Sequence, residues 1–216
     1  MTKDDLKVGV IENLDFAKGF YEDASAAGQG LSTMFITSTS KNGKRNGVAA
    51  LIGDKGALEN RRDISFDLGI RAGIELAHGD IDSIDAIYMI SEAWFSTAMT
   101  KGESNFTRPS EDLNRKEAII SVGVSQEGDK FLEIFEIKKT FDMEKGKIQV
   151  EFNSLNNEMP NSTVDSPLLD CFWDGVKLLA SFQEKLPKEF EDIFKKLPVD
   201  VLFTRFISQI NEIRKK

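Results

Sequence analysis

Six side chains with chemical potential, Glu92, Trp94, Ser110, Asp112, Arg115 and Glu117, fall within residues 85 to 124. A strand-like apolar run, Asp85-Ala86-Ile87-Tyr88-Met89-Ile90-Ser91, leads straight into Glu92-Ala93-Trp94. A polar segment then brings Pro109-Ser110-Glu111-Asp112 and Arg115-Lys116-Glu117-Ala118 to a second apolar run. If the two runs pair antiparallel across residues 96 to 114, Glu92 comes within reach of Arg115 or Glu117. One reading is structural: Arg115 forks onto a carboxylate, Asp112 closes an Asx turn and Trp94 packs beneath. The other is functional, a carboxylate-rich notch beside an indole that holds a divalent cation or a cationic group of a partner.

A second constellation is Glu136-Ile137-Lys138 with an upstream aspartate, Asp112 or Asp129. Acid followed by acid-x-lysine is how restriction-type nucleases hold Mg²⁺ and position water, and strand alternation puts Glu136 and Lys138 on one face. The motif is short and common, and the neighbouring Glu133 and Lys139 read as ordinary surface charge. The alternative catalytic set is therefore Asp112, Glu136 and Lys138. No glycine-rich phosphate loop or Cys-x-x-Cys occurs, and no cofactor is expected.

Composition narrows the classes further. The 216 residues suit one sizeable core with an appendage, and 40% hydrophobic with 30% charged residues is the balance of a folded globular chain. The net charge of −8 is concentrated in residues 61 to 165, where 12 basic face 20 acidic side chains. Such a surface repels a phosphate backbone, so direct nucleic-acid binding is not expected. One cysteine, Cys171, cannot close an internal disulfide, and one histidine, His78, rules out multi-histidine metal sites. Cys171, between Leu169 and Phe172, reads as a buried small residue, and His78 as a last-turn helix residue. No segment has the apolar length of a membrane span, and the start, Met1-Thr2-Lys3-Asp4-Asp5, lacks a signal-peptide core; the expected location is the cytoplasm.

The elements that must position these residues follow from periodicity. Val10, Leu14, Ala17, Tyr21 and Ala24 form one helical stripe. Met34 to Thr37 and Val48 to Ile52 read as a hairpin around a basic tip, Lys41, Lys44 and Arg45, which meets an anion or partner or is simply solvated. Residues 58 to 78 fit both strand and helix spacing; their length and Gly79 favour a helix. Residues 85 to 95 are apolar on both alternating sets, which predicts a central strand. Strands at 118 to 124, 131 to 138 and 147 to 152 follow as an antiparallel meander. The fold class is thus α+β: a mainly antiparallel sheet of about six strands, in the order helix-strand-strand-helix-strand-strand-strand-strand, with a C-terminal helical extension. Domain bounds are 1 to 157 for the α+β unit and 158 to 216 for helices that begin after Pro167, Pro187 and Pro198 and cap the sheet or form an oligomer interface.

The succession of elements is similar to roadblock-like and other profilin-like modules. The Glu92-Ala93-Trp94 strand followed by Pro-Ser-Glu-Asp-x-x-Arg-x-Glu-Ala resembles a family of small uncharacterised prokaryotic and phage proteins, over residues 30 to 140, although that family carries proline where Leu113 stands. The resemblance implies an accessory or mobile-element protein and no reaction type. The expectation is a protein that binds another macromolecule, an unidentified protein partner, with a homodimer also open, through Glu92, Trp94, Ser110, Asp112, Arg115 and Glu117. A Mg²⁺-dependent hydrolase is the alternative, and an acidic decoy for a nucleic-acid-binding partner is a third reading.

Overall fold

Leu6, Val10, Leu14, Ala17 and Tyr21 recur at helical spacing, and in the computed structural model they are the buried stripe of α1 (Lys3–Ala26). The structure describes residues 1 to 26, 30 to 52, 60 to 95, 116 to 143, 146 to 155, 166 to 187 and 194 to 214. Thr2 caps α1: its hydroxyl accepts the Asp5 N–H at 3.1 Å while the Asp5 carboxylate accepts the Thr2 N–H at 3.0 Å. The helix lies over the middle of a six-stranded sheet ordered β2-β1-β3-β4-β5-β6, antiparallel at every pairing.

The strands are β1 (Thr33–Lys41), β2 (Lys44–Ile52), β3 (Ser83–Phe95), β4 (Lys116–Ser125), β5 (Lys130–Asp142) and β6 (Lys147–Ser154). β3 sits inside the sheet, as its two apolar faces predict. One face presents Ala86, Tyr88 and Ile90 to α1, and the other sends Ile84 and Ile87 into a second core. Tyr88 fits beneath α1 because Gly9 and Gly123 leave room for its ring; a Cβ at Gly123 would stand 2.8 Å from Tyr88 Cδ1.

On the other face α2 (Arg61–His78) and α3 (Pro167–Glu184) pack together over Phe35, Ile87 and Val122, with Leu169 and Phe172 wholly buried. The two helices touch backbone to backbone. A side chain at Gly69 would collide with the Phe172 carbonyl and one at Gly175 with the Phe66 carbonyl. Ser65 Oγ donates to the Leu168 carbonyl at 2.6 Å, tying the helices at the same level. The ambiguous segment ending at His78 is therefore helical, and Gly79, at φ 83°, ends it in the left-handed region. His78 Nδ1 lies 3.2 Å from the Asp80 carboxylate.

The C-terminal helices close a third core, on the far side of α2. α4 (Val199–Arg214) places Leu202 with Phe194, Leu179, Ile70 and Ile74, and Asp200 pairs with Arg71 at 3.0 Å. The helix expected after Pro187 falls largely on residues outside those described. Cys171 is half-buried rather than fully enclosed, and burial raises its thiol pKa. Among the described residues no helix is long and apolar enough to cross a membrane.

The hairpin strands run on past their apolar cores to Lys41 and Lys44 and turn at Asn42-Gly43, at φ 50° and 73°. The basic tip is not simply solvated: Lys41 Nζ pairs with Asp82 at 3.0 Å and donates to the Gly79 carbonyl, and Arg45 lies 3.7 Å from Asp85.

Candidate functional site

β3 and β4 pair so that Glu92 stands opposite Ile119 and Trp94 opposite Glu117. Two residues apart on facing strands of one face, Glu92 and Glu117 are diagonal neighbours, within reach of long side chains. Their carboxyl groups come close enough for each to shift the acidity of the other, within the reach that antiparallel pairing predicts.

Two further elements converge on the pair. Tyr21, from the last turns of α1, donates its hydroxyl to Glu117 Oε1 at 3.0 Å. Lys139, on the α1 face of β5, reaches Glu117 Oε1 at 2.9 Å and Oε2 at 2.8 Å, and its ammonium lies 5.3 Å from the centre of the Tyr21 ring. The Leu31 N–H donates to Glu92 Oε2 at 2.8 Å. That approach needs the glycine before it, because a Cβ at Gly30 would stand 2.8 Å from the same oxygen.

The electrostatics divide the two glutamates. Burial raises the Glu92 pKa, and its hydrogen bond to Glu117 raises it further, against the pull of the Leu31 N–H. For Glu117 burial acts upward too, but the hydrogen bonds from Glu92, Lys139 and Tyr21 outweigh it and hold its pKa below the usual carboxylate range. A proton bound by the pair therefore resides on Glu92 in preference to Glu117. Burial pushes Tyr21 up to about 12, so it stays a donor. Burial works against the Lys139 charge, but its bonds to Glu117 and Tyr21 leave its pKa raised and the ammonium protonated. Two like-charged groups side by side are thus driven apart in acidity, and the Lys139 ammonium pairs with the more acidic of them.

The sign of the pH dependence follows. Glu92, with its pKa raised in the folded state, contributes stability that is full below the unfolded value near 4.5 and is lost as pH rises through the folded pKa. Glu117, with its pKa lowered, contributes stability above 4.5 that is lost as pH falls through its folded pKa. Glutamine at 92 keeps a donor for Glu117 and an acceptor for Leu31 without a proton to lose. The melting temperature of Glu92→Gln is expected to gain on that of wild type as pH rises from 4.5 through the folded pKa of Glu92 and then to hold a constant lead, a trend read from melts across a pH series.

Other sequence-predicted residues fare differently. Trp94 is placed by its backbone only, its side chain lying outside the described residues, as do Ser110, Asp112 and Arg115 altogether. Glu136 and Lys138 do share a face of β5, the face opposite the Glu92–Glu117 pair. Glu136 is buried and paired with Lys116 at 3.2 Å, while Lys138 is exposed. Asp129 lies just before β5, seven residues back along the chain and about 23 Å away at the rise of an extended strand, and pairs with Lys3 at 3.3 Å. Glu136 and Asp129 therefore do not form one site. Among the described residues no three His, Cys, Asp or Glu side chains are placed to hold a metal ion.

Tyr21 and Lys139 were the residues that sequence reasoning missed. Lys139 and Glu133 are not ordinary surface charge: Glu133 is buried, and its Oε1 accepts the Ser154 hydroxyl at 3.0 Å. The signal was alternation. Phe131, Glu133, Phe135, Ile137 and Lys139 share the α1 face of β5, and a charge interrupting an apolar face needs a partner.

Compared with known proteins, the chain matches no family model, no curated protein and no solved structure.

Proposed function

We propose that the protein acts by binding another macromolecule, in the first instance a protein, at the end of the sheet where β3 and β4 carry Glu92 and Glu117. The observation that supports this reading is the closed network of Tyr21, Glu92, Glu117 and Lys139, with the Leu31 N–H. It fixes the end of β3 and the start of β4 to α1 and β5. Those strand ends are the roots of the segment that bears Ser110, Asp112 and Arg115. Contact residues built on a rigid base lose less conformational freedom when a partner docks. The network also spends its charges internally, which suits a support more than a reacting centre. An acidic balance favours a protein partner over a phosphate backbone. The resemblance to prokaryotic and phage proteins gives the proposal its setting, an accessory or mobile-element role.

The test is retention of host proteins on the immobilised chain beside a Trp94→Ala/Arg115→Ala variant of unchanged melting temperature. A protein identified by mass spectrometry on wild type and lost from the variant supports the reading; equal retention on both overturns the site assignment. The hydrolase reading, with Glu136, Lys138 and Asp112, rests on the sequence motif and must release Glu136 from Lys116. Mg²⁺- or Mn²⁺-dependent cleavage that Glu136→Gln abolishes would put it in first place.

A further inference from the structure

Strand β2 is an edge of the sheet, and among the described residues its backbone has a row of groups with no strand opposite them. The Asn42-Gly43 turn is a two-residue turn with both φ values positive, so Lys41 and Lys44 exchange both ladder bonds, and the exchange recurs at every second residue. Asn46, Val48, Ala50 and Ile52 therefore direct their N–H and C=O groups toward β1. Those of Arg45, Gly47, Ala49 and Leu51 point away from the sheet. From Asn46 to Ile52 there is no charge and no proline, the usual devices that block an edge. Val48 and Leu51 are 63% and 61% exposed. The opposite edge, β6, is different: it carries the exposed Glu151 in its middle.

We propose that this edge pairs with β2 of a second copy of the chain, antiparallel about a two-fold axis at Ala49, so that two six-stranded sheets become one continuous sheet. The strand's own sequence argues for a copy of itself over a foreign strand. A two-fold axis perpendicular to the sheet keeps each face on its own side, so residues of equal parity meet. Gly47 faces Leu51, Val48 faces Ala50, Asn46 faces Ile52, and Ala49 faces its own equivalent. The outward-pointing residues Gly47, Ala49 and Leu51 meet one another, so the free N–H and C=O groups of both copies find partners. Size is matched as well, since a Cβ at Gly47 would have only Ile36 Cγ2, at 3.7 Å, within reach, which leaves room for the Leu51 side chain of the other copy. Charge is matched by separation: the two Arg45 residues stand eight positions apart along the paired strands, about 26 Å, well beyond the screening length of about 8 Å at physiological salt. This pairing stands apart from the Glu92–Glu117 end and does not depend on the binding reading given to that end.

The experiment is sedimentation equilibrium of the full chain over a concentration series. Wild type is expected at twice the 24.2 kDa chain mass, and Ala49→Pro and Leu51→Lys each at the single mass. The Ala49 N–H takes no part in the pairing with β1, so proline there removes no bond from the chain's own sheet. Leu51→Lys is the second variant and decides the matter if Ala49→Pro does not melt cooperatively, because an exposed side chain can change without unfolding the sheet. Lys44→Ala is expected to remain a dimer. A wild-type monomer at every concentration, or a dimer that survives both edge variants, overturns the proposal.

Discussion

Glu117→Ala is expected to destabilise the fold by about 2–4 kcal/mol, most of it through the partners it strands. Tyr21 is 1% exposed and its hydroxyl donates to Glu117. Without that acceptor a buried donor is left unpaired, which alone costs about 1–3 kcal/mol. Lys139, more than a third exposed, turns to water at little cost. The origin of the loss can be separated in a double-mutant cycle. Adding Tyr21→Phe to Glu117→Ala should cost much less than Tyr21→Phe costs in wild type, because the donor it removes is already unpaired. Equal costs in both backgrounds, measured by urea unfolding, would mean that the Tyr21–Glu117 bond carries none of the stability.

Gly69→Val is expected to cost about 3 kcal/mol, and Gly175→Val about the same. Exposed helical glycines normally behave in the opposite way: Gly19, on the surface of α1 with nothing within 4 Å of a Cβ, should gain up to about 1 kcal/mol on replacement by alanine. At Gly69 the obstacle is the Phe172 carbonyl, which is backbone and cannot swing aside as a side-chain tip would. The helices must separate, and Phe172, the largest wholly buried side chain of α3, loses contacts on both sides. Once they are apart, the second valine meets less resistance, so the double variant should lose clearly less than the sum. Urea melts of the four proteins, with Gly19→Ala as reference, measure each quantity.

The sheet was legible because strands announce themselves through a period of two. Residues 85 to 95 are apolar on both faces and lie inside the sheet; the turns at Gly43, Gly128 and Gly146 all carry positive φ. The meeting of Glu92 with Glu117 was legible for the same reason, since antiparallel pairing across one connection brings the strand ends together. The other half of the network was not. Tyr21 is 96 residues from Glu117 and Lys139 is 22, and no local pattern says which helix lies over which strand. The α2–α3 contact left a trace in Gly69 and Gly73, four apart and so on one face of the helix. That trace could not name Gly175 as the residue opposite. Glu136 and Lys138 were placed correctly on a common face, but sequence could not reveal that Lys116 would claim the carboxylate.

The position of α1 has a kinetic consequence. Its stripe is covered by strands far downstream, with Val10 accepting from Ser121, 111 residues later. At a synthesis rate of about 5–20 residues per second, roughly 5–20 s pass between the emergence of that stripe and of the strands that bury it. Most of the stability of a helix in a protein comes from packing its apolar face, and until the strands arrive Leu6, Val10, Leu14 and Tyr21 are offered to whatever is nearby. α1 thus leaves the ribosome well before β3, β4 and β5, and it cannot close over them until they have followed. Until then the nascent chain depends on holding factors, or on speed, to keep that stripe from the wrong partner.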